Sequence, residues 1–174
     1  MQDETSPELM AELWNPAVSW DTYGSKEQYY EHIFEQYKMF VEMADRISTR
    51  RNTANAFFLS LHTLIVTVVT FAYDKGLKLN PEWLVVFPLI AVLLLCWVWW
   101  RLIHSYRQLN RAKYKVIGEY EQRLPSSPYW KAEWTALGRG ENRKLYWPLT
   151  DAENLIPLTF GVLYLFAAGI LLWP

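Results

Sequence analysis

The sequence predicts an all-α integral membrane protein with three transmembrane helices, the first two extended into the cytoplasm as an antiparallel helical pair. Three observations carry this. Residues 25–73 contain neither Gly nor Pro, and they pass from a charged amphipathic half into an apolar half. Two further apolar runs, 82–100 and 155–173, are each close to the ~20 residues that a bilayer core requires. Aromatic residues make up 17% of the chain, and the ten Trp gather beside the apolar runs, as interfacial belts do.

The bounds are consistent with this. The 174 residues suggest one structural unit, and a net charge of -1 gives no reason to expect a nucleic-acid partner. The single cysteine, Cys96, excludes an internal disulfide and a cysteine-built metal site.

Residues 1–24 form an acidic arm (Asp3, Glu4, Glu8, Glu12) without the basic start of a signal peptide. It is either a partly ordered tail or an arm docked through Trp14 and Trp20. The cytoplasmic amphipathic helix spans 25–53. Its apolar seam is Tyr30, Ile33, Tyr37, Phe40, Ala44 and Ile47, at alternating steps of three and four. The first span covers 54–73. Asn55, His62, Thr63, Thr67 and Thr70 form a polar stripe along it, which serves either as an interhelical packing seam or as a pore lining. His62 is the ionisable group at membrane depth, expected to bond a Ser or Thr on a neighbouring helix.

Gly76 and Asn80–Pro81 mark the turn into the second span, 82–100, which carries a possible kink at Pro88 and ends in a Trp-rich belt followed by Arg101. The cytoplasmic segment 101–153 begins by continuing that helix to Leu124, before Pro125. Tyr106, Leu109 and Val116 are expected to face Tyr30, Tyr37 and Phe40. A short helix starts at Ser127–Pro128 and stops at Gly138, and the loop after it is basic (Arg139, Arg143, Lys144). Thr150 to Glu153 has the form of a capping box, opening the third span, 155–173, with Gly161, Ala168 and Gly169 on a small-residue side.

Basic residues flank the spans on one side: Arg46, Arg50 and Arg51, then Arg101 to Lys115, then Arg139 to Lys144. The positive-inside rule places the N-terminus in the cytoplasm and the C-terminus in the periplasm of a bacterial inner membrane, with membrane lipids as surroundings. No phosphate loop, dinucleotide fingerprint or HExxH is present, so no cofactor, no metal and no catalytic residue is expected. His32 beside Glu31 and Glu35 is read as a solvated helix face. His104 is read as an interfacial anchor.

The stretch YKMFVEMADRISTRRNTANAFFLSLHT, residues 37–63, resembles the RipA-like family of octameric bacterial membrane proteins. The helix–span–span–helix layout also resembles the two-span SLATT effectors, which the third span departs from. The RipA-like resemblance implies a homo-oligomeric ring, an octamer, with no established catalytic activity. It marks Glu42, Asp45, Arg46, Arg50, Arg51 and Asn55 as an assembly collar at the membrane surface. In that reading, carboxylates of a neighbouring protomer pair with the surplus arginines. The function expected is a non-catalytic membrane assembly or scaffold. The alternatives are an ion channel or stress-triggered pore, and a cytoplasmic ligand or nucleotide sensor in 101–153.

Overall fold

The computed structural model describes residues 7–76, 85–141 and 144–172. Helix α1 covers Pro7–Leu13, α2 Lys26–Asp74 and α3 Val86–Glu121. A π-helical turn at Pro128–Glu133 leads into a single turn, α4, at Trp134–Ala136, and α5 covers Leu149–Leu172. No strand occurs among the described residues. The Asn80–Pro81 turn, the start of the second span at residue 82, Arg143, the acidic residues Asp3 and Glu4, and the end at Trp173 lie outside the described residues.

The chain divides into two compact units, one of residues up to Ser48 with Gln108–Trp147, the other of Thr49–Arg107 with the residues from Pro148 on. In the first unit the amphipathic half of α2 packs on the polar half of α3. Ile33, Tyr37 and Ala44 form a core with Ile117 and Tyr120, flanked by Phe40, Val116 and Leu124. Two expected seam members are displaced. Tyr30 is 43% exposed and Leu109 47%. The seam of α3 is turned by one residue because Asn110 occupies it, donating to Ser48 Oγ at 3.3 Å. At the start of α2, Tyr29 rather than Tyr30 meets the arm, edge-on to Tyr23.

The arm is docked. Trp14 stands edge-on to Tyr120 at 5.1 Å, and the Arg123 guanidinium lies 3.4 Å from its ring centre. Trp20 stays exposed.

The short helix after α3 is organised by a buried carboxylate. Glu121 Oε1 accepts from Tyr129 N (3.0 Å) and Tyr37 Oη (3.2 Å), and its Oε2 from Ser127 Oγ (2.6 Å) and Trp130 N (2.9 Å). The free N–H groups of the turn that begins at Pro128 are thus capped from α3 and not by Ser127. Burial, and then the neighbouring Glu121 charge, push the Tyr37 hydroxyl far above the ordinary phenol range. Gly118 makes room for this turn: a Cβ there would stand 2.6 Å from the Trp130 ring.

The second unit holds the apolar half of α2, the apolar half of α3, and α5. Three helices among the described residues are long and apolar enough to cross a membrane. Their outward side chains are large and apolar; Phe57, Leu64, Phe87, Leu158 and Phe166 are all at least 60% exposed. Such a surface requires lipid or a neighbouring chain around it, and the protein is an all-α membrane protein. Pro88 falls in the first turn of α3, where its missing N–H has no intrahelical acceptor, so it forces no kink. Pro157 lies inside α5, fully buried, and the helix continues through it.

Candidate functional site

The site is the seam along which the three spans of the second unit meet. It begins where the apolar half of α2 starts. Arg51, Asn55, Phe58 and His62 recur at i, i+4, i+7 and i+11, which places them on one face of that helix. Cys96, Trp99 and Ile103 share a face of α3 in the same way. Glu153, Pro157, Phe160, Tyr164 and Ala168 do so on α5.

At the top of the seam the polar groups converge on Glu153, which is 7% exposed. Asn55 Nδ2 donates to Glu153 Oε1 at 3.0 Å, and Arg51 Nε lies 3.5 Å from the same oxygen. Trp99 Nε1 donates to Asn55 Oδ1 at 2.9 Å, so one Asn amide ties α3 to α5 through α2. The expected capping box therefore has its Glu turned toward α2; the Thr150 side chain lies outside the described residues. A second, looser pair, Arg107 with Asp151 at 3.9 Å, lies on the partly exposed rim.

Deeper in the seam His62 is completely buried. Its Nδ1 is 2.9 Å from the Tyr164 hydroxyl, and its Nε2 is 3.9 Å from Cys96 Sγ. The ring stacks on Trp99 and Phe160 at centroid distances of 5.6 and 5.0 Å, and Phe58 stacks on Trp99 in turn. The partner of His62 is thus a tyrosine, where the sequence suggested Ser or Thr. His62 itself has no exposed surface, and the constellation joins the three helices. Buried polar networks of this kind fix one arrangement of helices over its neighbours in register.

The structure divides both groups of residues singled out from the sequence. Of the collar, Arg51 and Asn55 are turned inward within the protomer. Glu42 and Arg46 pair along the exposed surface of α2 at 2.8 Å, and Asp45 and Arg50 are exposed with no ion pair among the described residues. Of the polar stripe, Asn55 and His62 are interior, whereas Thr63, Thr67 and Thr70 are exposed on the outer face. Thr63 and Thr67 donate to the carbonyls of Leu59 and Thr63 one turn back, which satisfies them without a second helix. Residues 62 and 63 are ~100° apart around a helix, so these side chains do not make a single stripe. The His104 ring lies tilted against Trp100 at a centroid distance of 5.0 Å. No group of three metal-ligating side chains occurs among the described residues.

Glu153, Trp99, Tyr164 and Cys96 were not legible as partners. The available signal was the period: an arginine and an asparagine at i and i+4 entering one apolar run imply an acidic counterpart entering another, and Glu153 is the acidic residue nearest the start of the third.

The family model described as octameric membrane protein family (8xMP) matches residues 34–173. The matched stretch contains the motif of residues 37–63, the three spans and every residue of the seam. The structure also has the third span that the two-span SLATT layout lacks. No curated protein and no solved structure matches the chain. A match over that much of the sequence, together with the three membrane-length helices, bears out the RipA-like resemblance: the chain belongs to the octameric membrane protein family.

Proposed function

We propose that the chain is the repeating subunit of a homo-octameric, non-catalytic assembly of the bacterial inner membrane, a scaffold, with the N-terminus and residues 101–153 cytoplasmic and the C-terminus periplasmic. The observation that carries this reading is the disposition of the spans. Asn55 and His62 are spent on bonds inside one protomer, and large apolar side chains face out. Spans of this kind offer their exterior to copies and to lipid and leave, among the described residues, no polar channel between them. The orientation follows from the basic residues that flank the spans. The collar reading narrows to the exposed residues Asp45 and Arg50, with Glu42 and Arg46, as the groups available to a neighbouring copy. Gly169 adds an apolar notch with Leu165, Phe166 and Ile170 where another helix can approach closely.

The pore reading retains one supporting observation: Thr63, Thr67 and Thr70 follow one exposed face of α2, at i, i+4 and i+7. Purified protein in planar bilayers separates the two. The scaffold reading predicts no conductance above that of bare lipid. Discrete channel steps in the wild-type protein that vanish in Thr67→Leu would overturn it in favour of a pore.

A further inference from the structure

The first unit contains a cavity apart from the seam. It has a volume of about 470 Å³ and lies where the arm meets the start of α2 and the end of α3. That is within the size range of small-molecule sites. Its walls carry four aromatic rings, Trp14, Trp20, Tyr23 and Tyr29, and its charged lining group is Arg123. No carboxylate among the described residues lines it. The arm and the first turns of α2 precede residue 34, where the family match begins.

The polar groups of this cavity are left with donors to spare. The Gln36 carbonyl oxygen is taken by the Tyr120 hydroxyl at 3.0 Å, which leaves its NH2 group. The Tyr29 hydroxyl accepts from Arg123 at 3.3 Å, which leaves its own proton. His32 is fixed through Nδ1 by the Tyr23 hydroxyl at 2.6 Å, leaving Nε2. Arg123 forms no ion pair among the described residues, and its guanidinium rests on the Trp14 face. An unpaired guanidinium flanked by aromatic rings is suited to an oxyanion carried by a flat apolar body.

We infer that this cavity is a binding site for a small planar organic anion, an aromatic carboxylate or its like, with the ring among Trp20, Tyr23 and Tyr29 and the anionic group on Arg123 and the Tyr29 hydroxyl. The inference does not depend on the assembly being octameric or non-conducting.

The test uses the full chain in lipid nanodiscs, titrated calorimetrically with 2-naphthoate and with its uncharged isostere 2-naphthamide, empty nanodiscs being subtracted. Saturable binding of one naphthoate per chain is expected, with naphthamide about tenfold weaker or worse, since the charge-assisted bonds are lost. Arg123→Gln should lose a similar factor. Tyr29→Phe, which keeps the ring and removes only the hydroxyl beside Arg123, should weaken binding several-fold. Equal affinities of the wild-type protein for naphthoate and naphthamide would overturn the inference without recourse to any variant. So would the absence of saturable naphthoate binding up to millimolar concentration, or naphthoate binding that neither variant alters.

Discussion

Replacing Arg51 by Met tests whether the charge at the membrane surface acts within the protomer. Arg51 and Glu153 are both nearly buried, with 13% and 9% of their side chains exposed, and they stand 3.5 Å apart. At an effective dielectric of ~20 the gross attraction at that distance is roughly 5 kcal/mol. Desolvation of both ions offsets most of it, so the pair contributes little relative to an uncharged replacement of both. Removal of one partner is different, because Glu153 then remains buried and charged. Such truncations cost about 3–5 kcal/mol. The lower end applies here, since Asn55 still donates to the carboxylate and Arg51 Nε makes no hydrogen bond of its own. Arg51→Met should therefore destabilise the second unit by about 3 kcal/mol. Adding Glu153→Gln, which retains an acceptor for Asn55, should recover about 2 kcal/mol of that. The assay is SDS titration in mixed micelles followed by tryptophan fluorescence, on wild type, both single variants and the double. Strictly additive effects, or a cost for Arg51→Met below about 1 kcal/mol, would refute the pairing and return Arg51 to an intersubunit role.

Three other outcomes follow from the same geometry. Glu121→Gln turns an amide donor toward groups that already donate, Ser127 Oγ and Trp130 N, and should cost roughly 2–4 kcal/mol, read as lost hydrogen-exchange protection over residues 127–137. The raised Tyr37 hydroxyl gives the first unit an alkaline limit. Stability is fully present below the unfolded phenol value near pH 10 and falls as pH rises beyond it, by about 1.4 kcal/mol per pH unit. Tyr37→Phe should shallow that fall in thermal melts between pH 9 and 11, leaving the part due to Tyr120, whose hydroxyl burial shifts the same way. His62→Leu and Tyr164→Phe should each destabilise the spans by about 1–3 kcal/mol, and the double variant by less than the two together, because they delete one shared bond.

Much of the fold was readable because membrane and water impose different periods and compositions on one chain. A stretch of 49 residues without Gly or Pro became a single helix, α2. The seam through Ile33, Tyr37, Ala44 and Ile47 followed from steps of three and four, and all four are buried. The registers that misled are those in which a polar residue occupies an interior position. Asn110 looks like surface, so the face of α3 was taken one residue out of phase, with Leu109 inward. His62 and Thr63 are both polar and adjacent, so chemistry grouped them where helical geometry separates them. Glu119 and Glu121 sit at the end of a charged helix, yet both are buried, because the turn after α3 wraps back over them, with Trp130 against Gly118. The Arg51–Glu153 contact joins residues about a hundred positions apart, and no local pattern encodes such a pairing.

The proposed assembly is a homo-octamer in the membrane. Native mass spectrometry of the full chain released from lipid nanodiscs tests it most directly. One dominant species with the mass of eight chains is expected, and a dominant monomer or dimer released under the same conditions would contradict the octamer.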